Sequence, residues 1–328
     1  MVELRTSYAQ DLRLVSGWTG WAGLLLLGGG LVLLPLVAPR YALYVVTLAA
    51  VHAVVAVGLN LLVGYTGQIS LGHAGFFAVG AYTHGLLLTR LGWSFLPSLA
   101  SAAVTSALFG YAVGLPALRL TGPYLAVATL AFGLAVHQVL VNWEALSGGR
   151  SGLFLPDVQL VGVSLKDERA LYWTVLAVAS LLVWVAVRLV RSYVGRAWVA
   201  IRDSDVAAEV SGVNLTRYKT LAFALSALYT GVAGALMGHV VGFLEPQLFT
   251  LFESVYFFSM VVVGGLASIS GSILGAVVLT LLPQALSGMG EVLNVLYGAA
   301  VILVLRFEPG GLAARWLRIQ RYWRTWPL

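Results

Sequence analysis

The residues able to do chemistry in this chain are uncharged polar side chains gathered in two glycine-rich stretches. The first, "GYTGQISLGHAGFFAVGAY", covers residues 64–82, and the second, "GGLASISGSILGA", covers residues 264–276. Such side chains can hydrogen-bond a polar solute or a neighbouring helix, but they offer no carboxylate or thiol for catalysis. The candidates for a polar pathway or a helix break are Asn60, Tyr65, Gln68, Ser70, His73, Ser268 and Ser270.

The composition of the chain indicates which medium, water or lipid, surrounds these stretches. The chain is 60% hydrophobic and only 10% charged, with a mean hydropathy of +0.92. A soluble domain carries about 25% charged residues, so this chain could not cover a water-facing surface and is a membrane protein. Its basic residues punctuate apolar runs, which is typical of membrane topology and not of nucleic-acid binding. The absence of cysteine excludes disulfides and cysteine-based metal sites.

Two interpretations of residues 64–82 remain open. Each unsatisfied polar group at membrane depth costs several kcal/mol, so lipid-facing positions are poor for Gln68, Ser70 or His73. In one interpretation, small residues pack helix on helix and the polar groups bond across the interface. In the other, a broken or re-entrant helix lines a polar cavity near the bilayer midplane. The second stretch could mark a duplicated architecture, although simple tight packing is the favoured explanation.

Catalytic chemistry is not indicated. A membrane enzyme needs convergent nucleophiles, bases or metal ligands. The acids lie mostly in loops, and the histidines are scattered along the chain at His52, His73, His84, His137 and His239. We therefore predict no catalytic residue, no metal site and no proton relay. A passive channel is harder to exclude on composition.

A charged segment, "GRAWVAIRDSDVAAEVSGVN" at residues 195–214, cannot span a membrane but has helical spacing. It predicts one or two short amphipathic helices, with Asp203 or Ser204 capping the second. The alternative is an ordinary interfacial helix. An apolar ridge of Val199, Ile201, Val206 and Val210 alternates with charged residues. The candidate docking residues are Arg196, Arg202, Asp203, Asp205, Glu209, Gly212 and Asn214.

Uncharged runs predict an all-α polytopic protein of about ten spans, since a helix needs about 20 apolar residues to cross. The two longest runs are divided near Gly64 and near residues 264–272. This gives an N-terminal segment at 1–17, a transmembrane domain at 18–306 containing a loop at 191–216, and a basic tail at 307–328. The runs are 14–39, 41–89, 91–118, 120–143, 170–187, 220–244, 254–290 and 292–305.

Basic residues predict the orientation. The 188–219 loop and the tail are rich in arginine, so both should be cytoplasmic, whereas the 144–169 loop, with four acids and three bases, should be external. Both termini are then inside. Arg40 and Arg90 fall outside and are the exceptions to this scheme.

The chain resembles the permeases of bacterial branched-chain amino acid ABC transporters, in particular the LivM type. The loop pattern G-R-x-x-x-A-I-R-[DE]-x-x-x-A-A-x-x-x-G-[VI]-N is met from Gly195 to Asn214, and "GLNLLVGYTGQISLGHAGFFAVGAY" is similar to the family's N-terminal signature. The resemblance covers about residues 40–310. Urea and short-amide importers use closely similar permeases, and no residue separates them.

The resemblance implies one inner-membrane subunit of an importer and a coupling role for the loop. The expected partners are a second, related permease, two cytoplasmic ATPases and an external binding protein. The chain lacks G-x-x-x-x-G-K-[ST], so ATP and Mg²⁺ should be held by the ATPase subunits and no cofactor by this chain.

Overall fold

The computed structural model describes residues 18–120, 122–160, 162–285 and 310–315, together with positions 298, 299, 302 and 306. Its α-helices are α1 Trp18–Val37, α2 Arg40–Thr66, α3 His73–Leu91, α4 Phe95–Ala117, α5 Pro123–Asn142, α6 Glu144–Ser147, α7 Glu168–Val190, α8 Tyr193–Asp203, α9 Asp205–Val210, α10 Leu215–Val241, α11 Leu251–Gly264 and α12 Ile269–Ala285. Short 3-10 helices cover Gly149–Ser151 and Pro246–Phe249. The strands are β1 Leu153–Phe154, β2 Gln159–Leu160, β3 Val163–Ser164 and β4 Phe243–Leu244.

The helices follow the uncharged runs. Helices α2, α4, α5, α7 and α10 are long and apolar enough to cross a membrane, and α11 and α12 are shorter apolar helices. Each long run divides where predicted: α2 and α3 share one run, and α11 and α12 share the other. The segment at 1–17, most of the tenth predicted span at 292–305 and most of the tail lie outside the described residues.

Helix α2 occupies the centre of the bundle. Its 27 residues make it about 40 Å long, and every side chain from Val51 to Thr66 is buried. Lipid solvates apolar side chains as well as a protein interior does, so the central position is favoured instead by the buried polar residues His52 and Asn60, which bond Thr280 and Ser272 of α12. Helices α7, α10 and α12 surround α2.

Helix α10 packs closely against α3 and α4 because glycines remove side chains at the crossings. A Cβ on Gly80 would overlap the backbone of Gly231, and one on Gly234 would overlap the carbonyl of Phe77. On the α4 side, a Cβ on Gly110 would overlap Ala227. Small residues at such crossings let backbones approach, and the resulting van der Waals packing is one of the forces that associate helices in lipid.

One end of the bundle carries the strands. β1 pairs antiparallel with β4, and β2 with β3. The β1–β4 pair joins the segment between α6 and α7 to the segment after α10, so it lies at the end where α7 begins and α10 ends, and the β2–β3 hairpin directly precedes α7. The loop containing α8 and α9 connects α7 to α10 at the opposite end.

Candidate functional site

The first break segment, residues 67–72, separates α2 from α3. Helix α2 ends at Gly67, whose φ of 71° is left-handed and whose N–H bonds the carbonyl of Leu62. Glycine takes this conformation without the steric cost of a Cβ. The predicted helix break is therefore present, three residues beyond Gly64, which itself remains helical.

The break places the start of α3 inside the bundle. His73, the first residue of α3, bonds Ser226, which lies in the fourth turn of α10. At 1.5 Å per residue, Ser226 is about 16 Å along α10 from its start. Helix α2 continues past this level to its own end beside the α8–α9 loop, so the chain turns back before α3 begins.

The polar side chains of the first break segment bond across helix interfaces. His73 Nδ1 lies 3.0 Å from Ser70 Oγ, and its Nε2 lies 2.7 Å from Ser226 Oγ. The N–H of Leu71 donates to Thr129 Oγ1 of α5 at 3.0 Å. Ser70 and His73 are fully buried, as the desolvation argument requires. These bonds are those of the interhelical-packing interpretation, here built around a real helix break.

Gln68 and Tyr65 are also buried at the end of α2. Gln68 Nε2 donates to Thr66 Oγ1 at 3.0 Å, and its backbone N–H donates to the Leu62 carbonyl at 3.3 Å. Both contacts are local, so Gln68 holds the turn that leads out of the helix.

The second break segment, residues 265–268, is fastened to α2 by Asn60. Asn60 Nδ2 donates to the Ser268 carbonyl at 3.0 Å and to Ser272 Oγ at 2.6 Å. Asn60 Oδ1 accepts the N–H of Ala267 at 3.0 Å. Ala267 has φ 57°, a left-handed conformation that alanine rarely adopts. A Cβ on Gly64 would overlap the backbone N of Ala267, so the two stretches singled out in the sequence are adjacent in space.

Ser268 and Ser270 have different roles. Ser268 Oγ accepts the N–H of Gly271 at 3.0 Å, which caps the first turn of α12. Ser270 is exposed and lies 3.3 Å from Ser268 Oγ.

The α8–α9 loop forms the two short helices that its pattern predicts. Ser204 lies between them and accepts the N–H of Ala207, so it caps α9, and Asn214 caps α10 by accepting the N–H of Arg217. Gly212, with φ 84°, ends α9. The amide of Val213 bonds the Ala208 carbonyl, which together with the Gly212 amide bond to the Glu209 carbonyl makes a Schellman stop.

The loop is anchored to the bundle on one side and exposed on the other. Trp198 is fully buried and donates to the Tyr218 carbonyl at 2.9 Å, and Lys219 bonds Asp205 at 2.6 Å. The predicted apolar ridge is wrong at Ile201, which is buried because it shares the inward face of α8 with Trp198. Val199 is half-buried. The exposed members of the two helices are Tyr193, Arg196, Arg202, Asp203, Val206, Ala207, Glu209 and Val210.

Arg202 connects the loop to the first break segment. Its Nη1 donates to the carbonyl of Gly64 in the last turn of α2 at 3.3 Å. A Cβ on Gly67 would lie 3.2 Å from Arg202 Cγ, so the arginine stem packs over the turn that ends α2. A cation also suits this position, because the last carbonyls of a helix carry partial negative charge.

Two of the histidines that are scattered along the sequence are in contact in the structure, so the prediction that they lie apart is wrong for this pair. His84 Nε2 of α3 lies 2.8 Å from His239 Nε2 of α10, although 155 residues separate them in the chain. His52 bonds Thr280 at 2.8 Å. Within the described part of the chain, no three His, Asp or Glu side chains are grouped to hold a metal.

Several partners of the predicted residues were missed. Ser272 accepts a bond from Asn60, and Ser226 bonds His73. Thr129 accepts the backbone N–H of Leu71, a residue that was not among the candidates. Hydroxyl residues inside apolar runs are the signal that could have found them, because such groups seek partners in lipid.

Comparison with known proteins assigns the family. Residues 41–305 match the family described as "Branched-chain amino acid transport system / permease component". The permease LivM of Salmonella typhimurium strain LT2 is 33% identical over 85% of this chain and 71% of the relative, and LivM of Escherichia coli K12 is 32% identical over the same shares. LivH of Escherichia coli K12 is 26% identical over 82% of this chain and 93% of the relative. No solved structure matches.

These relatives are permease subunits, and the apolar helices described above make this chain a multi-pass membrane protein. The loop pattern and the helix-break stretch that suggested a resemblance both lie inside the matched region. This chain belongs to the family of branched-chain amino acid transport system permease components.

Proposed function

We propose that this chain is a membrane-spanning permease subunit of an ATP-binding-cassette importer and forms part of the translocation pathway for leucine, isoleucine and valine. The LivM and LivH relatives are named as high-affinity branched-chain amino acid transport permeases, which supports this substrate class. Because both types match, the functional unit is a pair of related permeases in the bacterial inner membrane.

The observation that carries the proposal is the Arg202 bond to the Gly64 carbonyl. It gives the exposed α8–α9 loop a direct contact with the end of the central helix, beside the first break segment. Movement of the loop would therefore shift the turn at Gly67 and the start of α3. A passive channel has no need of such a connection.

The partners follow from this arrangement. The loop docks on one of two cytoplasmic ATPase subunits, which hold ATP and Mg²⁺, and an external binding protein delivers the amino acid. Val206 and Val210 are 73% and 85% exposed, so they offer an apolar contact, while Asp203 and Glu209 form a charged rim. Apolar contact supplies affinity in such helix-in-groove docking, and charges set the register. This chain performs no catalysis itself.

The experiment is ATP-driven leucine uptake by the complete importer reconstituted in proteoliposomes. Arg202→Glu should reduce uptake at least tenfold while the ATPase subunits still copurify, because the bond to Gly64 would be replaced by repulsion from the helix end. Arg217→Glu is the matched control, since Arg217 is an exposed arginine of the same region.

Three outcomes would contradict the proposal. Full uptake by Arg202→Glu would show that the loop does not couple the ATPase to the break segment through Arg202. Conduction without ATPase subunits would indicate a channel. Uptake of urea or a short amide in preference to leucine would identify the alternative substrate class. A pH gradient without ATP should drive no uptake, because intramembrane acid–base pairs are what proton relays require and the described helices pair histidines only with hydroxyls or with each other.

A further inference from the structure

A cavity of about 240 Å³ opens at the end of the bundle opposite the α8–α9 loop. The starts of α2 and α7, the end of α10 and the segment between β1 and α7 form its walls. Under the proposed orientation, this end faces the outside, where a binding protein would release its cargo. The cavity is separate from both break segments.

The charges on the cavity wall are of both signs. Lys166 lies on the wall with the carboxylates Asp157 and Glu168. Asp157 accepts a hydrogen bond from Ser164, but in the described part of the chain neither Lys166 nor Glu168 forms an ion pair. A cation and a carboxylate that line one cavity without bonding each other remain available to a ligand.

The rest of the wall is largely aliphatic. Leu155, Val158, Leu165 and Val240 contribute apolar surface, and Leu165 is buried. Ligand sites usually combine such surface with a few polar groups that fix orientation. An aliphatic side chain would therefore find partners here as well as two ionic groups.

We propose that this cavity binds a zwitterionic amino acid with an aliphatic side chain. Lys166 bonds the α-carboxylate, Glu168 and Asp157 attract the α-ammonium, and the aliphatic wall receives the side chain. The inference rests on the proposed function and adds an entry site for its substrate. It also favours an amino acid over urea, because urea carries no charge for Lys166 and Glu168 to neutralise.

The test uses the absence of native cysteine. A single Val158→Cys change in the assembled permease–ATPase complex in nanodiscs is labelled with a water-soluble maleimide, without the binding protein. A site with a Kd of about 1 mM would be about 90% occupied at roughly 10 mM leucine, so leucine should slow labelling several-fold. Val163→Cys is the control, because Val163 is 51% exposed on β3 and does not line the cavity.

Ligand chemistry then separates the alternatives. The acid 4-methylpentanoate lacks the ammonium group and isoamylamine lacks the carboxylate, so each should protect much less than leucine. Urea should not protect. Equal protection by either analogue, or none by leucine, would overturn the proposal.

Charge removal provides the second readout. In the Val158→Cys background, Lys166→Gln or Glu168→Gln should weaken leucine protection about tenfold through loss of one charge-assisted bond. Arg169→Gln should not, because Arg169 adjoins these residues without lining the cavity. Normal protection and normal uptake KM in the Lys166→Gln, Glu168→Gln double variant would reject the cavity as a site. The proposed function would fail separately, if the unmodified importer did not take up leucine.

Discussion

At the residue scale, Asn60 fastens the second break segment to α2 by hydrogen bonds between residues far apart in the chain. It is fully buried, and its amide both donates and accepts across 207 to 212 residues of chain. Asn60→Leu would leave the Ala267 N–H and Ser272 without these partners. An unsatisfied buried group costs about 1–3 kcal/mol, so we expect a clear loss of thermal stability of the purified permease and faster inactivation.

Ser101→Ala is the matched control for Asn60→Leu. Among the residues that the structure describes, the Ser101 hydroxyl bonds only the Pro97 carbonyl of its own helix, so its removal should change the melting temperature little. A melting temperature for Asn60→Leu within the range of this control would show that Asn60 does not fasten the second break segment.

A substitution at Gly212 gives a second test at the residue scale, because this position restricts the backbone conformation but leaves space for a side chain. The φ of Gly212 is 84°, yet a Cβ there would meet nothing within 4 Å. A β-branched residue strongly disfavours this conformation, whereas asparagine tolerates it. Gly212→Val should therefore misplace α9 and lower ATP-driven uptake several-fold, and Gly212→Asn should retain it. Similar uptake by both variants would show that coupling does not depend on the left-handed conformation at residue 212.

At the scale of elements, the crossing of α3 and α10 depends on paired glycines. A Cβ on Gly80 would overlap the Gly231 backbone, which cannot move aside as a side chain can. Gly80→Val should therefore prevent close packing and reduce the yield of folded permease, with the remainder melting at lower temperature. Gly28→Ala in α1 is the control, since no atom lies within 4 Å of a Cβ there. Equal yield and stability of the two variants would contradict the close-packing account.

The elements were the most predictable part of this molecule. Charged residues bound the apolar runs, and a run far longer than one crossing has to divide, which located both breaks. Side-chain partners were less predictable, because the Arg202–Gly64 bond spans 138 residues and depends on how α8 packs. Ile201 was misassigned because a repeating apolar pattern does not say which side of a short helix meets the bundle. The burial of Trp198 decides that side.

At the scale of the whole molecule, the charge difference between its two ends predicts one orientation. The 188–219 loop carries six basic residues and three acids, whereas the 144–169 loop carries three bases and four acids. The positive-inside rule places the first in the cytoplasm. Arg90, which opposes this bias, donates to the Ala145 and Leu146 carbonyls at the other end. In the folded protein, the Arg90 guanidinium is therefore hydrogen-bonded to these two carbonyls.

Single cysteines at the two ends measure this orientation directly. Val210→Cys lies on the exposed face of α9, and Val163→Cys lies on β3 at the opposite end. In intact cells, a membrane-impermeant maleimide should label the Val163→Cys variant and not the Val210→Cys variant; in inside-out vesicles prepared without the ATPase subunits, which would cover Val210, the pattern should reverse. Neither change touches the buried bundle, so both variants should insert normally. Labelling of Val210→Cys in intact cells would show that the orientation is the opposite of the predicted one. The α8–α9 loop would then lie outside the cell and could not contact a cytoplasmic ATPase.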